Sequence, residues 1–570
     1  MSAMEQGTGN AADKGTESVA RTGTERAARA AGAFGLPITA RPAAVVRLPA
    51  TVRLPAVVRL AATVRLPAVA RLRATARPAA VVRPPAAVRP RARHSRHRRR
   101  LRALAIGALL ALVAPACSGQ SGDAGPGPDA SGKTDGTTAV GPIVVASGLD
   151  VTGSGGVRQQ LIEEWNRQHR DEPNLRAKLV ELPGGADQQR SQLLGALQSG
   201  SAVYDVVNLD ITWIPEFADA GLIQALPDNE SADPDFLSRV RGTTVWEGRT
   251  YARPFNSDVG LLYYRRDLLK RGGITEDRMP NGDWTWDSLY SSITTLDNGI
   301  LDRERGQAGW TTQLRQYEGL TVNTIEAFAA VGVELVKEDG TYRSDPKELK
   351  KGLNELLRHT DSDRLLPAAL SSDENATLAD FAAGHVAYLR HWPYAYGSLQ
   401  SRLKPDQYSV TALPGHAVLG GQNLAVSADS PRAHNARALI KFLTSPESER
   451  CLLDAGFAAT RTSAYEPTAV SRPCWPGVAA ALRPAGSAPG APATGEGSAQ
   501  IPSESDRAAF TRTLSEALET AVQRPRTPYY GAFTQVLQSA VHELLADGSP
   551  DIDAMAEKLD AALEVAFEGR

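Results

Sequence analysis

The residues with most chemistry to offer stand at the end of one short apolar run. YDVVNLD closes on Asp210, and Trp213 follows three positions later. An ionised carboxylate accepts hydrogen bonds from two hydroxyls at once, and an indole presents a flat apolar face. Each residue also has a plainer reading, Asp210 as a cap on the helix that follows and Trp213 as packing beneath it. Catalysis asks for more than this. Glycoside hydrolysis needs a second carboxylate across the scissile bond, and no paired acidic motif stands at the strand ends. There is no G-x-S-x-G and no H-E-x-x-H, and the nine histidines are scattered. The chain also lacks the G-x-x-x-x-G-K-[ST] phosphate loop. The glycine-rich loop Gly153 to Gly156 lacks the spacing and acidic partner of a dinucleotide site and reads as a strand-to-helix turn. The residue types point to binding, with no catalytic group, no metal and no cofactor.

The elements around Asp210 follow from periodicity. From Gly141, PIVVASG reads as a strand. VRQQLIEEWNRQH has its apolar residues at Val157, Leu161, Ile162 and Trp165, the spacing of an amphipathic helix. RAKLVELP, RSQLLGALQSG and YDVVNLD continue as strand, helix and strand. A β-α-β-α-β series implies an α/β fold with a parallel sheet, and ligands bind at the carboxyl ends of such strands. That places Asp210 and Trp213 where a ligand is expected. Further on, Thr285 is a candidate N-cap for TWDSLYSSITTL, and HVAYLRHWPYAYG is a strand running into an aromatic loop. Residues 483–499 form a low-complexity insertion, and two amphipathic helices close the chain.

Charge divides the sequence. Residues 1–116 carry 21 Lys+Arg against 4 Asp+Glu, while the remainder has a net charge of −18. The acidic part lacks the basic footprint of a nucleic-acid binder. Residues 1–90 have no aromatic residue after Phe34 and from Pro42 to Pro90 repeat a unit close to VRLPA, so they read as a disordered or spurious extension. Residues 91–116 then combine RPRARHSRHRRRLR with a short apolar run, the pattern of a secretory leader. Ala114-Pro115-Ala116-Cys117 resembles a bacterial lipoprotein signal, although leucine is usual where Ala114 stands. The resemblance implies lipidation of Cys117, an anchor at the cell membrane, and a flexible tether over residues 117–140. Cys451 and Cys474 show no metal-binding spacing. In an exported chain they are either a mutual disulfide or two buried thiols.

Several phrases together resemble one family. They are YDVVNLDITWIPEFADAGLIQAL, FNSDVGLLYYRRDLL, DWTWDSL, FAAGHVAYLRHWPYAYGSL and ALIKFLTSPESERCLLDAGFAATRTSAY. The chain is similar to the extracellular solute-binding proteins of bacterial ABC importers, in the carbohydrate-binding group that includes trehalose- and maltose-binding proteins. The resemblance implies a two-lobed fold whose lobes close around a ligand by a hinge of crossing segments. The first lobe would take residues 141–256 and 411–456, and the second 257–410 and 457–570. Crossings are expected at Phe255 to Leu262, Tyr408 to Pro414, and near Phe457 to Thr462. Partners implied are a sugar and membrane permease subunits, with the ATPase on a separate chain, and the binder is expected to act as a monomer. A surface carbohydrate sensor is the alternative, and a carbohydrate-active enzyme a more distant one.

For a sugar, aromatic rings suit the C–H faces, and carboxylates, amides and guanidinium groups suit the hydroxyls. The candidates are Asp210, Trp213, Asn256 at the first crossing, Trp392 and Tyr394 in the aromatic loop, and Arg461 in ATRTSAY. Glu318 and Asn423 are further candidates. Gln422, just before Asn423, departs from relatives with a bulky residue there.

Overall fold

Among the described residues of the computed structural model, eleven strands divide between two sheets and one small hairpin. The model describes residues 139–149, 156–275, 285–337, 340–467, 472–482, 503–548 and 550–569. The extension 1–90, the leader 91–116, Cys117, the tether up to residue 138 and the insertion 483–499 lie outside the described residues.

The first lobe begins as its periodicity predicts. β1 (Ile143–Gly148) pairs in parallel with β2 (Ala177–Leu182) and with β3 (Val206–Asp210). Helices Val157–Gln168 and Ala186–Gln198 make the connections. After the hairpin of β4 (Val245–Trp246) and β5 (Arg249–Thr250), β6 (Ala252–Val259) forms the far edge of the same sheet. The second sheet holds β7 (Leu261–Arg265), β8 (Ala308–Thr311), β9 (Val386–His391) and β10 (Tyr408–Ala412), in the order β10-β7-β9-β8. β11 (Leu419–Val426) returns to the first sheet, which runs β2-β1-β3-β11-β6. Because it comes back from the second lobe, it lies antiparallel to both β3 and β6. The fold is α/β and two-lobed.

Among the described residues two crossings join the lobes. Only Gly260 separates β6 from β7, and a Cβ there would collide with Glu326 and Arg390. Those two side chains form a bidentate pair at 2.6 and 2.9 Å, each almost wholly buried. Glu326 also accepts from the backbone N–H of Val418 at 3.1 Å, on the second crossing between β10 and β11. One ion pair therefore touches both crossings.

The segment expected as a third crossing stays with the first lobe. Ala458 accepts from Ser257 N at 2.8 Å, and helix Pro476–Ala481 packs on helix Val157–Gln168. The physical reason is a covalent tie: Cys474 is disulfide-bonded to Cys451 of helix Pro446–Asp454, which packs in the first lobe. Residues 457–467 and 472–482 thus do not join the second lobe, contrary to the boundary at 457. Helices Tyr530–Ala546 and Ile552–Phe567 do, packing on helices Glu318–Ala330 and Pro346–His359. Among the described residues no helix is long and apolar enough to cross a membrane.

Closing a loop between cysteines 23 positions apart removes freedom from the unfolded chain. The double substitution Cys451→Ser/Cys474→Ser is expected to cost about 3 kcal/mol of stability. Denaturant unfolding reads this as a lower midpoint, and wild type treated with dithiothreitol should match it. An unchanged midpoint contradicts the stabilising role.

Candidate functional site

The ends of β3, β11 and β6 lie side by side, with Asp210 opposite Gln422 and Gln422 opposite Asn256. Across a cleft of about 720 Å3 they face residues of the second lobe, among them Tyr317, Glu318, Glu374, Trp392, Tyr394 and Arg524. The lobes also touch at one rim, where Asp187 accepts from the backbone N–H of Glu318 at 3.1 Å.

Asp210 lines this cleft, and it does not cap the helix that follows, whose N-cap position is Trp213. Its Oδ1 accepts from Thr212 N at 2.9 Å and Thr212 Oγ1 at 2.8 Å, which fixes the turn after β3. The same carboxylate receives Arg524 Nη2 at 2.9 and 3.2 Å. Trp213 is not a cleft residue. It is 4% exposed and packs with Phe217, because the chain turns into helix Ile214–Asp219 immediately after it.

Asn256 lies one layer below the cleft lining. It is buried, receives Arg158 Nη2 at 3.4 Å and donates to Asp258 Oδ2 at 3.2 Å. Asn423 points away from the cleft, since a bulge between Gln422 and Asn423 and the alternation of the strand turn it inward. Its Nδ2 donates to Thr243 Oγ1 at 3.0 Å. Gln422 takes the cleft position instead. Its Oε1 accepts from Arg158 Nη2 at 2.7 Å and Asn208 Nδ2 at 2.8 Å, which leaves the Nε2 donor as its free end.

The far wall is aromatic. Tyr317, Trp392 and Tyr394 all line the cleft. Glu374 orders two of them, accepting from Tyr317 Oη at 2.7 Å and from Trp392 Nε1 at 3.3 Å. Arg390 lies 4.0 Å from the Trp392 ring centre and supports it from beneath. Glu318 is in the cleft too, at the start of helix Glu318–Ala330. It accepts from Arg524 Nη1 at 2.7 Å, Thr534 Oγ1 at 2.8 Å and the Tyr530 hydroxyl.

Arg461 is neither in the cleft nor on the surface. Its guanidinium binds Asp233 at 2.8 Å, Asp235 at 3.0 Å and the Thr444 carbonyl at 2.6 Å, over the ring of Phe236. It is a structural cation of the first lobe. Among the described residues no group of acidic, histidine or cysteine side chains is arranged to hold a metal.

The structure adds Tyr317, Glu374, Gln422, Asp258 and Arg524 to the cleft. Asp258 had a signal, because on a strand it shares the face of Asn256 two residues earlier. Arg524, in VQRPRTP between two helices, had none. Burial pushes the Asp258 carboxyl up to about 7, with Arg158 opposing the rise and Asp210 adding to it. A raised carboxyl favours the fold below its unfolded value and loses that contribution as pH climbs through 7. Asp258→Asn should therefore gain stability relative to wild type between pH 4 and pH 8. Side-chain carbon NMR should also show an aspartate titrating near 7 that is missing in the variant. Aspartates that all titrate below 5 would contradict this.

A family model described as bacterial extracellular solute-binding protein matches residues 150–450, more than half of the chain. A probable ABC transporter-binding protein of Deinococcus radiodurans is 29% identical over 310 residues, covering 51% of this chain and 70% of that protein. Maltose-bound MalE3 of T. maritima aligns with a TM-score of 0.61 at 23% identity, over 74% of this chain and 99% of that one. UgpB from Mycobacterium tuberculosis, in complex with glycerophosphocholine, aligns at 0.56 and 18% identity, over 76% and 99%. These neighbours share its two-lobed fold. With the interlobe cleft in place, the chain belongs to the bacterial extracellular solute-binding proteins of ABC transporters.

Proposed function

We propose that the protein captures a neutral sugar, a disaccharide or short oligosaccharide, by closing its lobes and delivers it to ABC permease subunits. The observation that carries this reading is the pairing of an aromatic wall, Tyr317, Trp392 and Tyr394, with a polar floor of Asp210 and Gln422. Rings cover the C–H faces of a pyranose, while carboxylate and amide read its hydroxyls. A cleft of about 720 Å3 falls within the size range of small-molecule sites.

A phosphate ester is the competing ligand, because one structural neighbour binds glycerophosphocholine. Charge disfavours it. The lining holds six carboxylates and two guanidinium groups. Both guanidinium groups are already paired, Arg315 with Asp373 and Arg524 with Asp210 and Glu318. The field of such a cleft repels an anion.

A ligand that binds only the folded state raises its melting temperature, by about 2.7 kcal/mol of stability at a hundredfold excess over Kd. Maltose or trehalose is expected to do so and to be recovered intact, while glycerol 3-phosphate is not. Trp392→Ala should weaken sugar binding about tenfold, or ~1.4 kcal/mol, and Trp213→Phe should leave it within about twofold. The reading fails if no sugar shifts the transition, or if Trp392→Ala binds like wild type. The protein is further proposed to be held at the membrane by lipid on Cys117. Mass spectrometry of the native N-terminus should find Cys117 acylated, and an intact VRLPA repeat would refute that.

A further inference from the structure

The short segment Ala521–Arg526 does more than join two helices. On either side stand helices Glu504–Thr520, packed on β10, and Tyr530–Ala546, packed on Glu318–Ala330, so the segment is carried by the second lobe. Its hydrogen bonds nonetheless go largely to the first lobe. Arg239 Nη1 donates to Ala521 O at 3.1 Å, and Gln523 Nε2 donates back to Arg239 O at 3.3 Å. Arg526 donates to Gly242 O at 2.8 Å and to Val245 O. Val522 pairs with the returning crossing, its N–H to Ala417 O at 2.9 Å and its carbonyl from Leu419 N at 2.7 Å. Arg524 reaches into the cleft, with one Nη on Asp210 of the first lobe and the other on Glu318 of the second. Pro525 and Pro528 restrict the backbone, so the guanidinium is presented from a stiff segment.

We propose that Ala521–Arg526 is the latch of the cleft, and that Arg524 couples solute in the cleft to the closing of the lobes. The proposal rests on the solute-capture reading of this cleft. The geometry is that of a two-state contact. Asp210 and Glu318 belong to different lobes, so rotating the lobes apart must break one arm of the Arg524 fork. Charge-assisted bonds of this kind are short and directional. A solute held beside Asp210 in the closed state would be released more slowly while the fork is intact. The equilibrium between open and closed forms is then set by the latch as well as by the solute. Sequence position hides this role, because the segment lies more than three hundred residues from Asp210.

The test uses small-angle X-ray scattering of the purified protein without sugar, comparing wild type with Arg524→Gln, Arg524→Lys and Asp210→Asn. The expected result is a larger radius of gyration for Arg524→Gln and Asp210→Asn, with Arg524→Lys between them and wild type. A lysine restores charge but not the fork. Should Arg524→Gln fail to fold, Asp210→Asn weakens the same contact while keeping the arginine and the side-chain volume. Superimposable curves for wild type and the folded variants would overturn the latch. Stopped-flow binding of maltose or trehalose, whichever raises the melting temperature, gives the second readout. Arg524→Gln should dissociate about tenfold faster with association within about twofold, and unchanged dissociation also counts against the latch. If neither sugar binds wild type, the sugar proposal falls, and the scattering comparison still decides the latch.

Discussion

The Glu326–Arg390 ion pair is the constraint on which both lobes depend. It sits where the chain passes between sheets, against Gly260 on one crossing and Val418 on the other. A buried pair of charges is weak evidence for net stability, because desolvation offsets much of the attraction. Its value here is positional. Removing either partner would leave an uncompensated charge at the joint of the two lobes. Keeping both fixes where β6 ends, where β11 begins and where Trp392 rests, since its ring lies on Arg390. Hinge and aromatic wall are thus built on the same guanidinium.

The cleft floor is ordered in layers above this joint. Asp210 and Gln422 face the cleft; Arg158 and Asn208 lie behind Gln422 and set its orientation, while Thr212 and Arg524 hold Asp210. A polar side chain whose acceptor is already held offers its donor in one direction, which costs a ligand less ordering than a free amide would. Glu374 does the same for the opposite wall, using one carboxylate to hold a tyrosine and a tryptophan. Selectivity in such a site comes from residues that touch the solute and equally from those that stop them moving.

Much of the fold was legible in the sequence because it rests on local periodicity. The first three strands and their helices appear where alternation and 3.6-residue spacing place them, and Thr285 caps its helix through a bond from Ser288 N. Asp210, Glu318, Trp392 and Tyr394 line the cleft, where carboxylates and rings at the ends of elements face open space. The failures share one cause, which is that face and lobe are set at long range. Asn423 is turned inward by a bulge, Trp213 is covered by its own helix, and Arg461 finds two aspartates more than two hundred positions earlier. The boundary lies beyond 457 because a disulfide, not a local pattern, ties Cys474 to Cys451 in the first lobe. Arg524 belongs to no periodic element and left no trace in the pattern.

The single residue between β6 and β7 has a mechanical consequence. With only Gly260 between two strands of different sheets, the lobes have almost no slack at this point. They cannot draw apart there, because an extended residue spans little more than ~3.5 Å. What remains is rotation about a few backbone bonds, and glycine has the widest choice of such angles. The joint therefore behaves as a pivot and not as a tether. Any rotation of one lobe against the other at this crossing would fall on the few dihedrals around Gly260.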